Sequence, residues 1–236
     1  MKYEFTNETM NYEGHILHRI RNLGNGELGG WIEKEDNLSQ EGNCWVDGNA
    51  KVFGDAKVYD NAKIYGDAKV YGNAKVYYCG KVFGNAEVYG NAEVYFYAKI
   101  YGNAKVYGNA KVCAEVYDDA RIYGDTEVYN DVKVYDNACV CGNAKMYYHV
   151  KVFGTIKISS GEYFSGEFFD DDKNELMIEF SHESYMYFAT EEKSARKAFD
   201  CWREACDNAG FNIDNMIVTE VVLRDAKGND IDEMKL

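Results

Sequence analysis

From Val46 to Ile158 the chain repeats one six-residue phrase, close to Val-Tyr-Gly-Asn-Ala-Lys. The aliphatic beat falls at Val46, Val52, Val58, Ile64, Val70, Val76, Val82, Val88, Val94, Ile100, Val106 and Val112. After a two-residue deletion it resumes at Val116 and runs on through Ile122, Val128, Val134, Val140, Met146 and Val152. Four places after nearly every beat stands a small residue, usually Ala. A fixed period this short leaves little choice of fold: each phrase is too small to bury its own apolar face, so successive phrases must stack. A hexapeptide period predicts a parallel β-helix with three phrases to a triangular coil.

The phrase has a physical reading. The aliphatic residue and the Ala face inward, large then small, and fill a narrow bore. The Tyr or Phe beside the aliphatic residue faces outward, because neighbours on a strand point to opposite sides. Gly-Asn, Gly-Asp or Asp-Asn makes the corner, since these residues tolerate a left-handed backbone. Lys or Glu closes the phrase on the wet side. The outer Tyr residues, among them Tyr59, Tyr65, Tyr71, Tyr77, Tyr89, Tyr95, Tyr101 and Tyr107, occur on all three faces. A binding site would be concentrated, so these ladders read first as structure, with lysine stems lying along the rings. Base or sugar stacking on Tyr is the minor alternative. An ice-binding face would need ranks of Thr, and the shaft has only Thr126 and Thr155.

The pattern aliphatic-x-x-x-small-x resembles the left-handed β-helix of the hexapeptide-repeat superfamily, and left-handedness is what that resemblance implies. The expected fold is therefore mainly β. It consists of a left-handed parallel β-helix over residues 46–158, an N-terminal cap over 1–45, and a small acidic α+β domain over 159–236. Within the cap, Gly29-Gly-Trp-Ile32, Leu38-Ser-Gln40 and Gly42-Asn-Cys-Trp-Val46 resemble the opening segment of YdcK-like, transferase-annotated proteins of bacteria and bacteriophages. Residues 12–22 read as a strand with Ile16, His18 and Ile20 on one side and Leu17 on the other. Trp31, Ile32 and Leu38 are expected to plug the open end of the bore, which would otherwise present a bare strand edge. His15, His18, Trp31 and Trp45 read as cap packing.

The net charge of −14 is unevenly placed. Residues 46–157 carry 14 Lys and Arg against 13 Asp and Glu, whereas residues 158–236 carry 8 against 19. A DNA-mimicking rod would be acidic along its length, and a nucleic-acid-binding rod would carry a basic face. The shaft does neither, which disfavours nucleic acid as a partner. Seven Cys without a CxxC pair point to a reducing compartment. Cys139 and Cys141 form no recognisable metal set, so no metal is expected. No signal peptide or membrane span is visible, and a cytoplasmic protein is expected, in the host cytoplasm if it is phage-encoded.

The departures from the phrase are concentrated. Counting phrases from Val46, the sixth reads Val76-Tyr-Tyr-Cys-Gly-Lys81 and the ninth Val94-Tyr-Phe-Tyr-Ala-Lys99. The twelfth is the truncated Val112-Cys-Ala, the fifteenth has Val132 for Ala, and the eighteenth reads Met146-Tyr-Tyr-His-Val-Lys151. All are multiples of three. They therefore fall in one column up a single edge of the prism, provided the deletion shortens a corner without shifting the register. Tyr78, Phe96, Tyr97, Tyr148 and His149 replace ordinary corner residues there, with Cys79 beside them. Large aromatics are poor corner formers, and apolar patches mark contact surfaces. Three readings stand: packing against the chain's own C-terminal domain, a homo-oligomer interface, or a groove for a ligand or partner protein.

In the C-terminal region, 176–180, 185–189 and 216–223 read as strands. Between them a helix is expected from a cap at Thr190 to Ala209, stopped by Gly210, with Ala195, Ala198, Phe199, Trp202, Ala205, Cys206 and Ala209 on its apolar face. Asp170-Asp-Asp172 reads as an acidic turn, with cation binding the alternative.

Two functions follow as expectations. The first is a non-catalytic binding protein that meets a protein partner, a second copy of itself (dimer or trimer) or a small molecule through the aromatic edge and the acidic domain. It needs no cofactor. The phage-type resemblance implies a role such as inhibiting a host defence protein or sequestering a signal. The alternative, implied by the superfamily, is an acyltransferase using acetyl-CoA or another acyl-CoA. His149, the one shaft histidine, would then be the general base. Against it, the shaft sends out no loop to enclose an acceptor, and a fold by itself carries no activity.

Overall fold

The computed structural model describes residues 1–168, 174–180, 184–190, 194–208, 218–224 and 230–235. It is mainly β, 45% strand and 7% helix, and its parallel strands stack into a β-solenoid of about 8 turns. Each phrase contributes a two-residue rung, Lys-Val or an equivalent, with the aliphatic residue buried. Three faces result. Val52, Val70, Val88 and Val106 lie in register on the first, Val58, Val76, Val94 and Val112 on the second, and Ile64, Val82, Ile100 and Val116 on the third. Backbone amides bond to the next coil: Lys81 N–H to Ala98 O at 2.9 Å, Phe83 to Ile100 at 2.9 Å, and Asn85 to Gly102 at 2.8 Å. The Ala of each phrase is buried beside the aliphatic row, so the bore is filled by alternating large and small side chains.

The outer residues stack as the inner ones do. Tyr65, Phe83, Tyr101, Tyr117, Tyr135 and Phe153 form one unbroken column with ring centroids 4.8–5.0 Å apart. Phe53, Tyr71, Tyr89, Tyr107 and Tyr123 form a second. Corner amides make a third kind of ladder, Asn73 to Asn91 to Asn109 to Asp125, at 2.8–3.0 Å per step.

The solenoid extends beyond the repeat at both ends. Strands β1 (Tyr3–Tyr12) and β2 (His15–Asn22) form a hairpin about Glu13-Gly14, and β3 (Leu28–Ile32) continues it. β3 then pairs parallel with the second repeat rung, Trp31 to Lys51 and Ile32 to Val52. This register corrects the expected plug. Ile32 and Leu38 are in the bore, but Trp31 occupies an outward position, packed on Leu17 and Phe53 beneath the Arg19 guanidinium. Tyr3 joins Ile32 and Leu38 in closing the end of the bore, buried there with its hydroxyl donating to Leu38 O at 2.8 Å. The strand expected over 12–22 starts at His15. Ile20 is buried, while Ile16 is half exposed, since a bulge near Arg19 breaks the alternation.

At the other end, β4 (Lys145–Val152) runs unbroken around a corner. β5 (Glu162–Phe168) pairs with it in parallel and puts Tyr163 and Phe168 into the bore. Strands β6 (Asn174–Phe180), β7 (Ser184–Thr190), β8 (Val218–Arg224) and β9 (Asp230–Lys235) and helix α1 (Ala195–Asn208) follow. β7 pairs parallel with β5, so this sheet prolongs the shaft. The expected β-β-α-β unit thus lacks two strands that the chain forms, β5 and β9. Thr190 does not cap the helix. It ends β7, and the first helical amide, that of Ala195, donates instead to Asp232 Oδ2 at 2.7 Å. Ala195, Ala198, Phe199, Trp202 and Cys206 are buried as expected. Asp170–Asp172, Ala209 and Gly210 lie outside the described residues, as does the side chain of Ala205. Among the described residues no helix is long and apolar enough to cross a membrane.

Candidate functional site

The corner after the second face differs from the other two. The corner after the first face carries Gly at positive φ in coil after coil: Gly54, Gly72, Gly90, Gly108, Gly124 and Gly142. The equivalent places after the second face are Asp60, Tyr78, Phe96, Asn130 and Tyr148, all at φ between 52° and 59°, with no glycine among them. A bulky side chain in the left-handed region costs about 1–2 kcal/mol relative to an ordinary conformation. Something other than corner geometry retains rings there.

Between Phe96 and Asn130 the column skips a coil. Glu93, Lys111 and Glu127 are in register on one side of the corner, and Lys99, Glu115 and Lys133 on the other. The deletion therefore removes two residues from this corner and leaves both faces aligned. Cys113 and Ala114 cut straight across, and a cleft of about 660 Å³ opens in the edge. Ala114 forms its floor. Phe96 and Tyr97 stand on one side and Asn130, Asp131 and Tyr148 on the other. Lys99, Glu115 and Lys133 line the third-face flank.

The rim is held by ordinary forces. Tyr78 stacks on the outer side of Phe96, centroids 5.0 Å apart and planes 6° from parallel. Tyr95 and Phe96 meet at 5.3 Å. The second-face ring ladder is also interrupted by Cys113, with Tyr77 and Tyr95 stacked on one side of the gap and Tyr129 and Tyr147 on the other. Glu115 lies between Lys99 and Lys133 at 3.6 and 3.5 Å and accepts from the Tyr101 hydroxyl at 3.4 Å. These charges largely satisfy one another, so the cleft has no strong field of either sign.

Of the sequence-predicted residues, Phe96, Tyr97 and Tyr148 line the cleft, and Tyr78 supports Phe96 from behind. Relative exposures are 48% for Tyr78, 47% for Phe96, 80% for Tyr97 and 42% for Tyr148. Among the described residues these are the only large hydrophobic side chains of the shaft left exposed. Among the described residues, the C-terminal sheet joins the shaft at its end, through the pairing of β7 with β5. His149 stands outside the lining with its Nδ1 3.8 Å from Asp131 Oδ2, too far for a hydrogen bond. The pair is highly exposed, 66% and 80% at the side chains. Lys99, Ala114, Glu115, Asn130, Asp131 and Lys133 escaped the sequence reading. The signal for them was the deletion, whose consequence in space is the cleft.

His15 belongs to the cap, as expected. Its Nδ1 is 2.8 Å from Glu33 Oε1, and its ring lies 4.9 Å from that of Phe53. Burial alone would raise the Glu33 carboxyl, but the His15 contact and the Gly54 amide outweigh it and hold the group below its usual value. That is a structural carboxylate. Among the described residues, no group of three or more His, Cys, Asp or Glu is placed to hold a metal ion.

No family model matches the chain, and no curated protein matches it either.

Proposed function

We propose that this is a non-catalytic binding protein that engages its partner through the aromatic edge, the cleft at the shortened corner being the centre of contact. One observation carries the reading: the exposed rings of the shaft are gathered in a single corner column around a cavity, in positions where glycine would form the corner with less strain. Exposed apolar clusters of this kind mark contact surfaces. The acidic C-terminal region, continuous with the same shaft, would add charge selectivity for a basic partner. Inhibition or sequestration in a host cell, as the phage-type likeness suggests, is the biological setting that fits such a surface.

The test is affinity capture with two baits, the wild type and the Tyr97→Ala/Tyr148→Ala double variant, with folding checked by circular dichroism. The reading expects species retained by the wild type and lost by the folded variant. Equal recovery by both baits would overturn it.

Acyl transfer is the second reading, supported by His149 standing 3.8 Å from Asp131, a residue of the cleft lining. A general base must come within about 2.6–3.2 Å of the group whose proton it takes, although unliganded sites often loosen such contacts. Acetyl-CoA should then raise the melting temperature, and His149→Ala should abolish transfer without abolishing binding. No thermal shift with any acyl-CoA would remove this reading.

A further inference from the structure

We propose that the cleft is a site for one planar aromatic ring of a small molecule, which takes the place of the corner residues that the deletion removed. The inference rests on the binding role of this edge and specifies its ligand.

The ladder sets the dimensions. Rings along the shaft repeat at 4.8–5.6 Å, and Tyr78 and Phe96 on this corner at 5.0 Å. Omitting one coil from the edge leaves its neighbours two strand spacings apart, roughly 9.6 Å. One flat ring at the usual spacing fills that interval, and a tetrahedral or branched group does not stack in it. The inner side of Phe96 is the ready platform, already fixed from behind by Tyr78 and from the side by Tyr95. Phe96 holds this place at φ 52°, where an aromatic residue is strained. The cavity of about 660 Å³ exceeds a single ring and falls within the range of roughly 300–1,000 Å³ usual for small-ligand sites.

The polar groups narrow the chemistry. Glu115 is occupied by Lys99, Lys133 and Tyr101. Asp131, on the side opposite Phe96, is acceptor-only when ionised and has no hydrogen-bonded cation. Asp131 as acceptor suits a ring that carries an N–H or O–H donor on its edge, as phenols, indoles and amino-substituted heterocycles do.

The experiment is an NMR titration of the full-length protein with p-cresol, indole and adenosine, with cyclohexanol as the non-planar control. At least one planar probe should shift the amides of Phe96, Ala114 and Asn130, and cyclohexanol should not. Inserting Gly-Asn between Cys113 and Ala114 restores an ordinary six-residue phrase, so the fold tolerates it while the cleft is filled. Binding should then be lost, and Phe96→Leu should weaken it by about tenfold, in line with the loss of one stacking platform. Absence of binding by all three planar probes would overturn the proposal, as would binding that survives the insertion. If the probes fail but capture still depends on Tyr97 and Tyr148, the ring site falls and the binding edge stands. If capture is the same for both baits, the binding edge falls whatever the probes do.

Discussion

At the scale of the residue, the contrast between corners is a contrast of backbone strain. Asn tolerates the left-handed region better than Phe, but it has no ring to stack. For Phe96→Asn these effects oppose each other: about 1 kcal/mol of relief against about 0.5–1.5 kcal/mol of lost ring contact. Stability by denaturant melting should change by less than about 1 kcal/mol, whereas a loss of several kcal/mol would make the ring a fold element. The ladder tyrosines are different. Burial, then the charge of Glu115 and the neighbouring Tyr117, pushes the Tyr101 phenol up to about 12, and burial likewise raises Tyr65, Tyr89 and Tyr117. An acid whose folded value lies above its unfolded value of about 10 stabilises the fold fully below that pH and loses its effect as pH rises through the folded value. The melting temperature should therefore hold steady up to about pH 9.5 and fall between about pH 10 and 12. Phenolate absorbance appearing near pH 10 with no change in melting would contradict this.

At the scale of the element, each rung is stabilised mainly by its two neighbours, as in other solenoids. Ile64 is fully buried in the bore, and Ile64→Ala should cost about 2–5 kcal/mol by denaturant melting, against about 0.5 kcal/mol or less for Tyr97→Ala at the exposed edge. Equal costs would mean that the edge is core. The rungs were legible in the sequence because one period governs inside, outside and corner together. The closures were not. Tyr163 and Phe168 fill the bore after the phrase has dissolved, and Tyr3 reaches it from a hairpin with no repeat at all. Trp31 misled because size suggested a plug, while its place next to Ile32 in one strand turns it outward. The aromatic column was legible as a multiple of three. Its cleft was not, because a deletion shows which residues are missing, and only paired registers on both sides of Cys113-Ala114 show the space they leave.

At the scale of the whole molecule, the shaft is closed at the N-terminal end by the hairpin and prolonged at the other by β5 and β7. Removing residues 169–236 should leave the outer edge of β5 unpaired and cause self-association through strand edges, visible as oligomers in light scattering. A strictly monomeric truncated shaft would show that the edge is protected in another way. Tyr78, Phe96 and Tyr97 stand exposed on one corner of this shaft, and the proposed recognition surface is centred there. The most direct test is the melting temperature of Tyr97→Ala/Tyr148→Ala against the wild type. If the rings serve recognition, the two should agree within about 4 °C, the equivalent of about 1 kcal/mol for a chain of this size. A fall of more than about 8 °C would mean that the rings hold the fold together and that the binding surface must be sought elsewhere.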